Sequence, residues 1–436
     1  MLNRVTARPA DIKVAIIGIG SIGNGLVYQC HTTPGFQPVA IADIKIDRAI
    51  TCAKWLELDY EVVDSLTTLN EAVRRGKLAV SESGELIAQC EQAEVLIEAS
   101  NAVAAGAQHA ITALTHNKHL VMMNYEADLM FGPALLTLAR QNGLVYTSAD
   151  GDQPTVIKRI VDEIEFWGFD LVMAGNIKGY LDRYVNPTLI IPEADKRNLD
   201  YKMCSSYTDG TKLGVEMAVL ANGLGLRTAV PGMYGPRAAH IQDVFELYDF
   251  AALWQDRQGV VDYVLGAQPT GGVFVIGYTE SKFQQFTLDW FPPKMGPGPF
   301  YLFYRPYHLG HIEALWGVAE AVLDGRARLQ PTHGFRTNVF TYAKKDLQAG
   351  EVLDGMGGYA CYGLIENYEN GRAPGLPILL ADDVILKRPI AKDQPILLAD
   401  VEYDPDAFQF QYYAEALAQS QRLAGGNGRL SLEVAL

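Results

Sequence analysis

The sequence is short of positive charge, of cysteine and of long apolar runs. Its 436 residues hold 36 Lys and Arg against 51 Asp and Glu, a formal net charge of −15 at pH 7. A surface of that sign repels polyanions, which argues against nucleic acid or an anionic membrane as a partner. The cysteines, Cys30, Cys52, Cys90, Cys204 and Cys361, are odd in number and show no C-x-x-C spacing. Neither a disulfide framework nor a zinc site is expected, and the thiols read as reduced, cytosolic ones. No apolar run reaches the roughly 20 residues that a bilayer-spanning helix needs. The opening MLNRVTARPADIK lacks the apolar core of a secretion signal. The expected setting is cytoplasmic. Hydrophobic residues at 49% with 20% charged are ordinary for a globular protein, and a chain this long predicts more than one domain.

What is present is organised around KVAIIGIGSIGNGLV, residues 13–27. The apolar run Val14–Ile17 has the length and β-branched content of a buried parallel strand. Gly18-Ile19-Gly20-Ser21-Ile22-Gly23 follows, a full G-x-G-x-x-G leading into helical spacing. Gly18 suits a tight turn, Gly20 a close backbone approach to a pyrophosphate, and Gly23 helix–strand contact. The free amides at the helix start, at Ser21 and Ile22, would face the phosphates, whose charge the helix dipole favours. Val39–Ala42 reads as the next strand, and Asp43 stands at its end, twenty residues past Gly23, where a carboxylate would bond the adenosine ribose. Lys45 and Arg48 follow closely and would suit the extra phosphate of NADP, so the choice between NAD and NADP stays open.

Helix and strand continue to alternate. Helices are predicted over 48–58 and 66–75, and strands over 77–81 and 93–99. A helix over 102–115 and strands over 119–124 and 144–147 follow. Ligands of a doubly wound sheet lie beyond the carboxyl ends of its strands. Ser100, Asn101 and Asn124 are therefore candidates for the nicotinamide side, and Ser100 and Asn101 equally for capping the next helix.

Beyond Pro154 the character changes. An amphipathic helix over 155–167 and a strand over 169–174 precede a polar, charged region, residues 175–209. It carries Lys178, Arg183, Lys196, Arg197 and Lys202, an unexpected density of cations in so acidic a chain. It reads either as a solvated loop with ion pairs or as an anion site, since a phosphorylated substrate needs convergent Lys and Arg donors. Asp209 would cap a helix running to about Gly223, which places Lys212 in its first turn. The helix dipole disfavours a cation there. That cost suggests a task such as polarising a carbonyl. Strands are predicted over 272–279 and 300–304. His308 and His311 form an H-x-x-H pair without a third ligand, which reads as capping or packing rather than metal. A strongly amphipathic helix spans 312–323. From about Gln330 short strands between turn residues, with two copies of ILLAD at 378–382 and 396–400, indicate a small β-rich module. A helix over 408–422 and a loose Gly-rich end close the chain.

With these motifs placed, residues 10 to about 325 resemble the homoserine dehydrogenase superfamily. The Gly-rich loop matches, and DGTKLGVEMAVLANGLGLR is similar to that family's D-x-x-x-K-L helix, which implies catalytic roles for Asp209 and Lys212. Asn124-Tyr125 stands where that family has Asn-Lys, and Gly175-Asn176-Ile177-Lys178-Gly179-Tyr180 where it has G-I-L-N-G-T. Segments GYLDRY, IPEADKRNLDY, YTDGTK and YRPYHLGH resemble more closely a branch with a C-terminal SAF (antifreeze-like) module, the deoxyxylulose phosphate reductoisomerase-like proteins.

The resemblance implies an α/β chain. A Rossmann doubly wound sheet (1–154) would precede an α+β substrate and dimerisation domain (155–308). A helix returning to the first domain (309–334) and a β-rich SAF-like module with a terminal helix (335–436) would follow. It implies a homodimeric NAD(P)H-dependent oxidoreductase acting on a small keto or hydroxy sugar phosphate, by isomerisation and then hydride reduction. NADPH is the expected cofactor, NADH the alternative, and Mg or Mn an optional ion. Lys212, Asp209 and Lys178 are then the catalytic candidates, and Lys196, Arg197, Asn176 and Glu193 the substrate-binding ones. No spacing marks a metal site; Glu126, Asp150, Asp152 and Glu193 are the ligands to consider. Competing readings are an ordinary homoserine dehydrogenase and a non-catalytic NAD(P)-binding regulatory protein.

Overall fold

The computed structural model describes residues 1–197, 199–292, 294–368 and 375–425, and the Gly-rich end beyond them lies outside the described residues. The chain forms two compact units. The first comprises Met1–Asp152, Leu309–Gln330 and Gln411–Gln419; the second comprises Gln153–His308, Pro331–Phe410 and the chain from Ser420 on.

The first unit is built on seven strands: β1 (Ile12–Ile17), β2 (Phe36–Ala42), β3 (Tyr60–Val62), β4 (Leu78–Ser81), β5 (Val95–Glu98), β6 (His119–Met122) and β7 (Tyr146–Ser148). They form one sheet in the order β3-β4-β2-β1-β5-β6-β7, and every pairing is parallel. This is the expected Rossmann-like doubly wound sheet. Its inner strands read as unbroken apolar runs because helices cover both faces. The strand order turns back between β1 and β5, and ligands of such sheets lie at that point. The amphipathic helix Gly310–Asp324 belongs to this unit. Its Ala314, Leu315, Val318 and Ala319 join the core formed by Val14, Ile16, Leu26 and Ile41. It lies so close to the helix Ser21–Thr32 that a Cβ on Gly25 would stand 2.3 Å from the His311 ring.

The second unit contains a five-stranded sheet of β8 (Asp170–Lys178), β9 (Arg227–Thr228), β10 (Val260–Leu265), β11 (Val273–Tyr278) and β12 (Phe300–Arg305), in the order β12-β11-β8-β10-β9. Strand β8 runs four residues beyond the predicted end, because it lies at the centre of the sheet, where its residues 172–177 are all buried between neighbours on both sides. Asn176 and Lys178 are thus strand residues rather than loop ones. The remaining charged region is also more ordered than a loop, with helices Ile191–Arg197 and Tyr201–Asp209. The segment Pro331–Phe410 adds β13 (Thr337–Ala343), β14 (Val352–Asp354), β15 (Cys361–Asn367), β16 (Asp382–Leu386) and β17 (Val401–Glu402) in a two-stranded and a three-stranded sheet. Each ILLAD copy carries a single 3-10 turn before a strand. No described helix is long and apolar enough to cross a membrane.

Candidate functional site

Strand β1 is followed at once by Gly18, which has φ +92°. A Cβ there would stand 2.4 Å from the Ser100 nitrogen and 2.6 Å from Ala99, so the ends of β1 and β5 meet at a glycine by steric necessity. A Cβ on Gly23 would fall 1.9 Å from the Gly18 carbonyl oxygen. Gly20 differs, because nothing among the described residues lies within 4 Å of where its Cβ would be. It caps the helix Ser21–Thr32, whose first residues Ser21 and Ile22 are exposed. Two glycines therefore let the loop close, and the third opens it to a pyrophosphate. The chain is fitted for a dinucleotide at this loop.

Asp43 is only 7% exposed. Its Oδ2 accepts a hydrogen bond from the Ile19 amide at 2.9 Å, and its Oδ1 one from the Lys45 amide at 2.8 Å. The carboxylate holds the glycine loop against the start of the next helix, and a ribose contact would use only its remaining lone pairs. Lys45 and Arg48 are exposed beside it. Asn124 requires a correction. It is 1% exposed, its Oδ1 accepts from the Ala127 amide, and its Nδ2 donates to the Ala102 carbonyl. It caps the helix Tyr125–Gln141 and has no surface to offer a cofactor. Asn101 is exposed. The Ser100 hydroxyl donates to Glu98 Oε1 at 2.5 Å, and His109 Nδ1 lies 3.4 Å from the same oxygen. Glu98 is fully buried, and its Oε2 has no hydrogen-bond partner among the described residues. The sequence reading missed this Glu98–His109 support. The signal was there in a charged residue closing an otherwise apolar strand.

In the second unit, Lys212 stands in the first turn of the helix Thr211–Leu224 and is 7% exposed. Glu216 lies one turn further along the same face and is equally buried. Asp209 ends the preceding helix. It is 2% exposed, and its Oδ1 accepts from the Thr211 amide at 2.8 Å. Its Oδ2 stands 2.8 Å from Lys344 Nζ, which also donates to the carbonyls of Val185 and Gly358. Burial pushes the Asp209 carboxyl up, and Lys344 and Thr211 pull it part of the way back. Its geometry suits holding the helix start more than exchanging protons with substrate. The Gly363 amide donates to Thr211 Oγ1 at 2.8 Å, so the C-terminal segment grips this junction at a second point.

Lys178 Nζ donates to the Tyr207 carbonyl at 2.7 Å, which ties the end of β8 to the helix that ends at Asp209. Lys178, Asp209 and Lys212 are thus gathered by one helix–helix junction. Lys196 is not held there. Asn176 is 3% exposed inside the sheet. The Lys196 side chain is 73% exposed, with its ammonium 3.4 Å from Glu193 on the same short helix. That is the surface ion pair the charge pattern also allowed. The Arg197 side chain lies outside the described residues. Among the described residues no three His, Cys, Asp or Glu are arranged to hold a metal ion, and no such set is formed by Glu126, Asp150, Asp152 and Glu193. Asp150 instead faces Arg328 at 3.5 Å and accepts from the Gly151 amide.

Residues 18–147 match the family described as homoserine dehydrogenase, NAD binding domain, and residues 151–314 match oxidoreductase DRL, catalytic domain. No curated protein matches the chain. A solved DOX-P reductoisomerase with fosmidomycin and magnesium is 17% identical over 47% of this chain and 56% of its own, at a TM-score of 0.35. The chain thus spans a little over half of that protein's length. The 1-deoxy-D-xylulose 5-phosphate reductoisomerase of Zymomonas mobilis, in complex with NADPH, is 14% identical over 74% of this chain and 83% of its own, at 0.36. KijD10, a 3-ketoreductase from Actinomadura kijaniata, is 15% identical over 73% and 91%, also at 0.36. None of these overlaps fixes the role of a residue here.

Proposed function

We propose that this NAD(P)-dependent oxidoreductase, which joins a homoserine dehydrogenase NAD-binding domain to a DRL catalytic domain, reduces a small keto sugar phosphate in the manner of a deoxyxylulose phosphate reductoisomerase. The observation that carries the reading is the buried ammonium of Lys212 at the start of a helix, next to Asp209 and within the DRL match. A cation kept at that end of a helix against the dipole suits an oxygen that gains negative charge. Lys212 polarises the substrate carbonyl and supplies the proton as the oxygen becomes a hydroxyl. NADPH, when bound at the glycine loop, supplies the hydride. Asp209 and Lys344 hold the turn from which Lys212 projects, and Lys178 fixes the neighbouring helix. The protein is proposed to work as a homodimer in the cytoplasm, with residues 335–403 as its SAF-like module.

The test is a panel of sugar phosphates, with aspartate semialdehyde included. It runs against NADPH and NADH, with and without magnesium, and is read as loss of reduced nicotinamide absorbance. Turnover of 1-deoxy-D-xylulose 5-phosphate supports the reading, and turnover of aspartate semialdehyde alone makes the chain a homoserine dehydrogenase. Tight NADPH binding without turnover of any of them leaves a regulatory nucleotide binder.

A further inference from the structure

The helix Lys282–Trp290 follows β11 in the second unit and wears its aromatic side outward. None of its nine residues is buried. The half-buried side carries Gln284, Gln285, Thr287 and Leu288, while the outer side carries Phe283, Phe286 and Trp290, exposed by 79%, 69% and 71%. This reverses the usual amphipathic order, in which the apolar stripe faces the core. Polar contacts hold the inner side: Gln284 Nε2 donates to the Trp167 carbonyl at 2.7 Å, and Gln285 Nε2 to the Thr279 carbonyl at 2.8 Å. Phe291 continues the outer face, with its ring edge-on to Trp290 at 5.0 Å. At roughly 150–250 Å² per aromatic side chain, the exposed parts of these four rings present about 400–700 Å², as much as the largest apolar patch of a typical monomer or more.

The order of residues round this helix makes the face complementary to itself. At about 100° per residue, Phe286 stands in the middle, with Phe283 and Trp290 about 40–60° to one side and Lys282 and Asp289 about 40–60° to the other. A twofold axis beside Phe286, perpendicular to the helix, reverses its direction and keeps each flank on its own side. It sets Phe283 of one copy against Trp290 of the other, and Lys282 against Asp289, each matched to within about 1.5 Å along the helix. Lys282 and Asp289 are exposed, and neither makes an ion pair among the described residues. Two such faces remove roughly 800–1,400 Å² of aromatic surface, which with the charged flanks reaches the size of a specific interface. The face is remote from the proposed chemistry. Tyr278 pairs with Asp170 at the start of β8, and Lys178 closes that strand about 26 Å away. The net charge of −15 disfavours an anionic membrane as the cover.

We propose that the outer face of the helix Lys282–Trp290 is where two copies of this chain pair, antiparallel about a twofold axis beside Phe286. The inference rests on the homodimer of the reading above and gives that dimer its surface; it does not depend on the substrate. The rings of Phe283, Phe286 and Trp290 leave water together, and two Lys282–Asp289 ion pairs close one flank. Phe286 meets its own copy at the centre, where truncation costs an interface most.

Sedimentation velocity of the full chain over a concentration series reads the dimer without turnover. Phe286→Asp, which sets two carboxylates at the axis, is expected to raise the dimer Kd more than about 100-fold. Lys282→Glu and Asp289→Lys are each expected to raise it about tenfold by opposing like charges. The double variant should return it to within about threefold of the wild type, because the ion pairs re-form with their signs exchanged. Melting temperature and NADPH binding show that each variant is folded. A wild type that stays monomeric throughout removes the homodimer together with its surface. A wild-type dimer that Phe286→Asp leaves intact removes the surface alone, and so does a double reversal no better than the single ones. Flotation with phosphatidylserine vesicles tests the rival cover: a monomeric wild type that floats, and loses this with Phe286→Asp, makes the face a membrane contact and overturns the pairing.

Discussion

Asp43 and Ile19 are joined by a hydrogen bond from backbone amide to carboxylate at 2.9 Å, inside the glycine loop itself. The residue expected to read the ribose is thus also the one that shapes the phosphate loop. Asp43→Ala removes the acceptor for two amides and is expected to cost about 1–3 kcal/mol. Because it acts through the loop, it should weaken NADH and NADPH by similar factors. Nucleotide titrations followed by fluorescence check this. A residue that served the ribose alone would shift the preference between the two.

The glycines separate folding from binding. Gly20→Ala meets no atom of the described residues within 4 Å and is expected to leave the melting temperature nearly unchanged while weakening nucleotide binding. Gly18→Ala collides with the ends of β5 in a left-handed conformation and is expected to lower the melting temperature as well.

Lys212→Ala is expected to reduce kcat by about 10²- to 10⁴-fold, the range for loss of a positioned proton donor. The affinity for NADPH should be unchanged. Steady-state kinetics beside nucleotide titration separate the two, and full turnover in the variant would remove the assignment.

Lys344→Met leaves Asp209 buried without its cation. Breaking one side of such a pair is expected to cost about 3–5 kcal/mol, read from urea denaturation. The double variant Lys344→Met with Asp209→Leu should recover much of that loss, because two apolar groups replace an orphaned charge. Its kcat should still fall if the pair positions Lys212.

Asp128 supplies a pH dependence of stability. Burial pushes its carboxyl up to about 6, opposed in part by the hydroxyls of Ser148 and Tyr146 that donate to it. A carboxyl raised in the folded state stabilises the fold fully below its ordinary value of 3.8, and that contribution is lost as pH rises through about 6. Relative to Asp128→Asn, the wild type should lose on the order of 3 kcal/mol between about pH 4 and pH 7. Denaturation of both proteins across that window checks the sign.

Much of the first unit was legible because its signals are local. The run Val14–Ile17, the glycine spacing and the acid at the end of β2 lie within about thirty residues, and parallel strands buried on both faces are unbroken in apolar character. The length of β8 was not legible, since only its central place in a sheet assembled from later segments keeps Asn176 and Lys178 extended. The roles of polar residues were harder still. Asn124 has the chemistry of a cofactor contact or of a helix cap, and burial made it a cap.

The sequence by itself determined a nucleotide-binding half and a helix that starts just after Asp209, because turn geometry, strand character and helix start are properties of neighbouring residues. Only the tertiary structure decided that Asp209 is clamped by Lys344 and that Lys196 stands in water beside Glu193. The physical reason is that a charge takes its meaning from what surrounds it. Whether it is hydrated, paired or left uncompensated depends on segments far away in the chain that fold around it.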